Sequence, residues 1–182
     1  MDLFIGIPGV DFSERVGYNS RRKDGCPVKL YLETTVFNYY FDKDRDGHVD
    51  TVLLFEGIRK GKHQAFTSEY VEIELQAAAE PKRSQMLSLI KEFQIPILGL
   101  DEESDRLAGL YVAQGIIPER FRFDSAHIAC ASVHGLDYVL SYNFSHINRA
   151  KTKLLTARVN QAQGYGSVVI CTSKEVLDDE SI

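Results

Sequence analysis

The chain has 182 residues with 26 acidic side chains and 21 Lys or Arg, which gives a formal net charge of −5 at pH 7. This length fits one domain, and the 44% hydrophobic content is enough for a core, which excludes wholesale disorder. The 3 widely spaced cysteines exclude a disulfide-stapled miniprotein and a cysteine-based zinc site, and they favour a reducing compartment such as the cytoplasm. The mild acidity argues against a nonspecific grip on nucleic acid, which usually needs a basic face.

The two ends of the chain differ in character from its middle. Residues 1–27 lack periodicity and carry scattered Gly, Pro, Ser and charge, so we predict a poorly ordered arm without a secretion signal. The folded domain is predicted over 28–178, followed by a short tail at 179–182. No apolar run approaches the roughly 18 residues that a membrane span needs.

Short apolar runs alternate with helical patterns through the predicted domain. The predicted strands are Val28–Leu32, Gln64–Thr67, Ile95–Leu98, Asp137–Ser141 and Ser167–Cys171. The predicted helices are Thr51–Lys60, Glu69–Ala79, Lys82–Phe93, Glu102–Gln114, Phe123–His134 and Lys151–Gln163. This alternation predicts an α/β fold, namely a three-layer α/β/α sandwich around a parallel sheet of about five strands.

Four polar side chains occupy positions where such a fold gathers functional groups. Glu33 follows the first predicted strand, and Asn143 follows the fourth. Asp124 heads a helix of small apolar residues, and Glu74 lies on the helix after the second strand. Because parallel strands end at one edge, we expect these groups to converge there. Three carboxylates would repel each other without a cation, and oxygen ligands of this kind favour Mg²⁺ or Mn²⁺.

Four segments in the right order and spacing carry a family resemblance. The segments Leu30–Thr35, Thr67–Leu75, Asp124–Ala129 and Val139–Ile147 resemble the four sequence blocks of PIN-domain proteins, including the VapC-like ribonucleases. The resemblance extends over about Val28 to Leu177. It implies a PIN-like fold and a Mg²⁺- or Mn²⁺-dependent nuclease, often a ribonuclease, of the kind that serves bacteria as the toxin of a toxin–antitoxin pair.

The resemblance also implies roles for individual residues. Glu33, Glu74 and Asp124 would be the acidic catalytic and metal-site residues, with Asn143 in the fourth position. Thr34 and Ser141 would be supporting hydroxyls. We hypothesise that Glu33 and Asp124 hold the principal metal, that Asn143 ligates it or orients a water, and that Glu74 acts through water or holds a second metal.

Two positions depart from the family pattern, and one block can be aligned in other ways. Glu33 stands where Asp is usual, and Asn143 carries no charge, so the two departures together predict weaker metal binding or the loss of a second metal, and weakened activity. Glu74 is preferred in the second block because an aliphatic residue follows it; Glu69 is second and Glu72 third.

Several residues near these blocks have weaker claims to function. His127 lies one turn after Asp124, within reach as a supporting acid or base, although a packed structural histidine is the commoner role. Any grip on an RNA substrate must be local, because the net charge opposes it. The weak candidates for phosphate contact are Arg122, Arg149, Lys151 and Lys153. A small antitoxin protein and a homodimer are the further expected partners.

Two other functions compete with the nuclease. One is a PIN-like module with a degenerate site that binds RNA or protein without cutting, and it should be indifferent to EDTA. The other is a calcium-responsive interaction protein that uses Asp42–Asp50. That segment matches several positions of a calcium-binding loop, but Leu53 stands where the loop needs its bidentate Glu.

Overall fold

The computed structural model describes residues 27–179 and is built around one parallel sheet. Its strands are β1 (Val28–Leu32), β2 (His63–Ser68), β3 (Ile97–Leu98), β4 (Tyr138–Leu140) and β5 (Val169–Cys171). Their order across the sheet is β3-β2-β1-β4-β5, so β1 is central and pairs with β2 and β4. All neighbouring strands run parallel.

Eight α-helices are present in the described part of the chain. They are α1 (Thr34–Phe41), α2 (His48–Arg59), α3 (Glu69–Gln76), α4 (Lys82–Glu92), α5 (Glu102–Ala113), α6 (Arg122–Val133), α7 (Ala150–Ala162) and α8 (Ser173–Asp179). A short 3-10 helix at Glu119–Phe121 leads into α6. Within residues 27–179, no helix combines the length and the apolar character that crossing a membrane requires.

The central strand is buried on both of its faces. Leu30, Tyr31 and Leu32 have no exposed surface, although successive side chains of a strand point to opposite faces of the sheet. Helices must therefore cover the sheet on both sides, which gives three layers. The predicted fold class, an α/β sandwich with a parallel sheet of five strands, is confirmed.

Every predicted strand and helix has a counterpart in the structure, but two helices and the 3-10 helix were not predicted. The missed helices are α1 and α8, and α2 begins at His48, three residues before the predicted start. Helix α1 consists of Thr, Val, Asn, Tyr and Phe, which have modest helix propensity. Burial of its Val36 and Phe37 therefore stabilises a helix that the local sequence does not indicate.

The carboxyl ends of β1, β4 and β5 lie side by side, and this edge positions the site. The backbone N–H of Glu33 donates to the carbonyl of Leu140 (3.2 Å), and that of Ser141 donates to the carbonyl of Cys171 (3.0 Å). The residues that follow β1 and β4 are thus held next to each other. The predicted N-terminal arm lies outside the described residues, apart from residue 27.

Candidate metal centre

Glu33 occupies the junction between β1 and α1 and is almost fully buried, with 4% of its surface exposed. Its backbone is the N-cap of α1, but its side chain does not cap the helix. Instead Oε2 accepts hydrogen bonds from the hydroxyls of Thr35 (2.5 Å) and Ser141 (2.9 Å). The carboxylate is therefore held at the sheet edge by one hydroxyl from α1 and one from the end of β4.

Glu74 and His127 complete a compact group with Glu33. The Oε2 of Glu74 accepts a hydrogen bond from the Thr34 hydroxyl and lies 3.2 Å from Nε2 of His127. One ligand atom from each of Glu33, Glu74 and His127 can be chosen so that all lie within 4.8 Å of one another. Among residues 27–179 these form the one group of three or more His, Cys, Asp or Glu side chains close enough to share an ion. We call them the inner triad.

A buried hydrogen-bond chain orients the histidine of the inner triad. His127 has no exposed surface, and its Nδ1 lies 2.9 Å from the hydroxyl of Tyr31, which is also fully buried. The Tyr31 hydroxyl in turn lies 2.5 Å from Oγ of Ser68, the N-cap residue of α3. Ser68 is thus used to anchor Tyr31, and its side chain makes no capping hydrogen bond.

Asp124 and Asn143 lie together at the border of the inner triad, and we call them the outer pair. The Asn143 side-chain amide donates to Oδ1 of Asp124 (3.2 Å), and its carbonyl oxygen accepts from the backbone N–H of His146 (3.1 Å). The Asn143 backbone N–H donates to Oγ of Ser141 (3.0 Å), the same hydroxyl that donates to Glu33. Ser141 therefore links the two groups.

Burial opposes the ionisation of two of these acids, Glu33 in the inner triad and Asp124 in the outer pair. Burial raises the pKa of Glu33, and the charge of His127 and the hydroxyls of Thr35 and Ser141 offset this only in part. Burial likewise raises the pKa of Asp124 against the opposing charges of His127 and His146. A buried carboxylate with a raised pKa is stabilised as an anion when a cation binds beside it.

In Glu74 and His127, the interaction between the two side chains outweighs burial. Each side chain therefore favours the charged form of the other. Burial opposes ionisation of Glu74, but the hydrogen bond and charge of His127 and the Thr34 hydroxyl together lower its pKa. Burial also opposes protonation of His127, but Glu74, Glu33 and Asp124 together raise its pKa. Negative charge therefore dominates the field at this edge of the sheet.

The other two acids considered for the second block face elsewhere. Glu69 accepts a hydrogen bond from the backbone N–H of Leu100 through Oε2 (2.9 Å). Glu69 and Glu72 line a surface cavity of about 360 Å³ together with Ile73, Gln76 and Leu100. This cavity contains none of the inner triad or the outer pair.

The basic candidates for phosphate contact have only weak partners within the described part of the protein. Arg122 lies 3.9 Å from Glu119, and Lys153 lies 4.0 Å from Glu175. Arg149 donates weakly to the carbonyl of Ser145 (3.4 Å), and Lys151 is exposed. The distances to these acids are at the limit of an ion pair, so the cations are available to other anions.

The acidic segment 42–50 has local partners of its own. Asp42 forms an ion pair with Arg45 (2.7 Å) and lies 4.0 Å from Lys82. Helix α2 begins at His48, so the last part of the segment is helical rather than a loop. Within this segment, the acids do not form a group close enough to share an ion.

Three features next to the site were not predicted from the sequence. Thr35 supports Glu33 and also accepts from the backbone N–H of Tyr142 (2.8 Å). The Thr-Thr doublet after Glu33 was a usable signal for it, whereas nothing in the sequence marks a strand tyrosine such as Tyr31 as a partner of His127. Phe123 and Phe144, which adjoin Asp124 and Asn143 in the chain, are 45% and 58% exposed.

Comparison with known proteins gives structural similarities only. No protein-family model matches the chain, and no curated protein matches it. It is similar in structure to VapBC2 from Rickettsia felis, solved bound to a DNA fragment from its promoter, at 12% identity and a TM-score of 0.47 over 79% of this chain and 97% of that one. It is also similar to the sarcin-ricin-loop-cleaving toxin VapC20 from Mycobacterium tuberculosis, at 10% identity and a TM-score of 0.48 over 76% of this chain and 98% of that one.

Proposed function

We propose that this chain is a divalent-metal-dependent endoribonuclease that hydrolyses RNA phosphodiester bonds with Mg²⁺ or Mn²⁺ as cofactor. The observation that carries this proposal is the meeting of Glu33, Glu74 and His127 within 4.8 Å at the carboxyl edge of a parallel sheet, with Asp124 and Asn143 alongside. Apart from His127, these residues occupy the positions that the resemblance assigns to the metal site, with Glu33 in place of the usual Asp and the uncharged Asn143 at the fourth position.

The donor set fits a divalent cation, which would neutralise the phosphodiester and activate water for its hydrolysis. Carboxylates are hard oxygen ligands, and each of the two in the inner triad is fixed by at least one hydroxyl. Glu33 and Glu74 would hold the ion, in place of the Glu33 and Asp124 expected from the sequence, because Glu74 and not Asp124 belongs to the inner triad. Asp124, which is only partly buried, would face the substrate side of the same centre, with Asn143 fixing its orientation.

Two surface features favour a single-stranded RNA substrate despite the net charge of −5. Phe123 and Phe144, the chain neighbours of Asp124 and Asn143, are 45% and 58% exposed, and such rings offer flat surfaces on which unpaired bases stack. Local positive charge for phosphates comes from four basic side chains, Arg122, Arg149, Lys151 and Lys153. The double variant Lys151→Ala/Lys153→Ala should lower the salt dependence of RNA binding, by a slope of about one for each phosphate that the protein no longer neutralises.

We further propose that the chain acts as the toxin of a toxin–antitoxin pair, the role that the family resemblance implies. An antitoxin would inhibit by covering the carboxylates, and an arginine side chain is the group best suited to pair with them. Expression of the chain alone should then arrest bacterial growth, and the Glu33→Gln variant should not. Growth that is equal for both proteins at equal abundance would contradict the toxin role but not the nuclease.

The direct test is a cleavage assay on single-stranded and structured RNA. The wild-type protein should cut in Mg²⁺ or Mn²⁺ and stop in EDTA, and Asp124→Ala should abolish cleavage while the protein stays folded by circular dichroism. A folded Asp124→Ala protein that cuts RNA as fast as wild type would overturn the assignment.

One observation favours a second candidate, a module of the same fold that binds RNA or protein without cutting it. Both ends of the Asn143 amide are engaged within the protein, by Asp124 and by the backbone of His146, so Asn143 is committed to internal hydrogen bonds rather than to catalysis. Binding of RNA by the wild-type protein with no cleavage in Mg²⁺ or Mn²⁺ would establish this candidate.

A further inference from the structure

His127 presents one ring nitrogen to the inner triad and the other to the core. Its Nε2 lies 3.2 Å from Oε2 of Glu74, and its Nδ1 lies 2.9 Å from the Tyr31 hydroxyl on the far side of the ring. The ring has no exposed surface. It therefore does not meet solvent or substrate from outside, and Nε2 faces the carboxylate cluster.

The contact with Tyr31 fixes the ring in the way that proteins fix metal-ligating histidines. Such histidines use the second ring nitrogen in a hydrogen bond to a neighbouring polar group, which sets the ring orientation and the tautomer. Tyr31 is itself held by Ser68 at 2.5 Å, so the support extends to a second buried residue. These two buried hydrogen bonds in series restrict the His127 ring, so that Nε2 stays directed at the inner triad.

We propose that Nε2 of His127 is a direct ligand of the cation, together with Glu33 and Glu74, and that this nitrogen makes the site prefer Mn²⁺ to Mg²⁺. This inference rests on the proposed function, because it concerns the cofactor of the same site. Mg²⁺ takes oxygen ligands almost exclusively, whereas transition metals accept imidazole nitrogen readily.

The spacing of the three ligand atoms allows a shared ion after small side-chain movements. Opposite ligands about 2.1 Å from an ion lie about 4.2 Å apart, and the three atoms are already within 4.8 Å of one another. The carboxylates at positions 33 and 74 each have a second oxygen available for adjustment, because the side-chain hydrogen bonds that fix them go to Oε2.

Calorimetric titration of the full chain with Mn²⁺ and with Mg²⁺, after removal of bound metal with EDTA, measures the preference. The wild-type protein should bind Mn²⁺ at least about tenfold more tightly than Mg²⁺, and His127→Gln should lose about tenfold in Mn²⁺ affinity with little change for Mg²⁺. His134→Gln is the matched control. His134 lies at the end of the same helix, away from the inner triad, so this variant should behave as wild type.

Pulsed electron paramagnetic resonance of bound Mn²⁺ shows whether a histidine is a ligand in the wild-type protein, and a folded His127→Gln variant assigns the signal to position 127. Protein labelled with ¹⁵N-histidine should show a ¹⁵N coupling in place of the ¹⁴N coupling of unlabelled protein, and a folded His127→Gln protein should lack it. Mn²⁺ binding with no histidine coupling, or equal affinities for the two metals, overturns this inference and leaves the proposed function intact. A complete absence of metal binding overturns both.

Discussion

The inner triad and the outer pair lie next to each other but are built differently. Glu33 and His127 are buried side chains whose polar atoms are fixed by Thr35, Ser141 and Tyr31. Asp124 and Asn143 are only partly buried, and their side chains contact each other. The inner triad is thus preorganised to hold positive charge, while the outer pair is accessible to a substrate. The difference predicts that mutations in the two groups affect different measurements.

The largest effect on cation affinity is expected from Glu33→Gln. The amide has nearly the same shape but no charge, so the inner triad loses one of its two anionic ligands. Mn²⁺ affinity should fall about 100-fold, which is the upper end of the loss seen when a residue that supports a metal ligand is mutated. Calorimetric titration measures the affinity, and cleavage of RNA should fall with it.

The same variant should keep its stability, which separates loss of a ligand from loss of the fold. Burial raises the pKa of Glu33, so the ionised carboxylate is unfavourable there without a cation. In EDTA, the free energy of unfolding of Glu33→Gln should equal or exceed that of wild type in urea titrations. Glu72→Gln, a change on α3 outside the inner triad, is the control. A strongly destabilised Glu33→Gln protein would mean that Glu33 is structural.

An intermediate effect is expected from Ser141→Ala, because Ser141 joins the two groups. Its hydroxyl donates to Glu33 and accepts from the backbone of Asn143, so alanine releases both. Cation affinity should fall about tenfold, and stability should fall by about 1–3 kcal/mol because buried polar groups lose a partner. The control is Ser145→Ala, an exposed serine in the same loop. Unchanged affinity would show that the groups act independently.

The structure also shows which parts of the molecule the sequence could predict. The strands are short apolar runs between helical patterns, and their alternation was enough to predict a parallel sheet because both faces of such a sheet must be covered. Aspartate is one of the residue types favoured at a helix N-cap, and Asp101 occupies this position at α5, where its side chain accepts from the Ser104 N–H at 2.7 Å. Helix α1 was missed because its stability comes from burial of Val36 and Phe37, which is a tertiary effect.

The sequence indicated which residues are candidates for the site, but not which of their side chains contact each other. Positions 33, 124 and 143 follow from where strands end and a helix begins, whereas Glu74, near the C-terminal end of α3, was chosen from the family resemblance. Whether Glu74 pairs with His127 or with Asp124 depends on rotamers and on the depth of α3 against α6, which no sequence pattern records. His127 was therefore assigned a lesser role than its buried contacts with Tyr31 and Glu74 indicate.

A smaller effect on cation affinity is expected from Asp124→Asn. This change removes a partly exposed charge and leaves an oxygen to accept from Asn143, so Mn²⁺ affinity should fall only about two- to fivefold. RNA cleavage should fall far more than binding does, because the charge that faces the substrate is removed. Comparison of the cleavage rate at saturating Mn²⁺ with the calorimetric affinity separates the two. A loss of affinity as large as that of Glu33→Gln would place Asp124 among the principal ligands instead.

No effect on cation affinity is expected from Phe144→Leu, which changes an exposed ring next to the outer pair. If unpaired bases stack on this ring, RNA affinity should fall about fivefold, corresponding to about 1 kcal/mol, and the salt dependence of binding should stay the same because stacking releases no counterions. Fluorescence anisotropy with a labelled single strand, on the Glu33→Gln background to prevent cleavage, measures both quantities. Val49→Ala, which alters another exposed apolar side chain, should leave RNA binding unchanged. A change in the salt slope with Phe144→Leu would instead mean that the loop after β4 positions groups that contact phosphates. RNA would then be held beside the outer pair by charge and not by stacking on an aromatic ring.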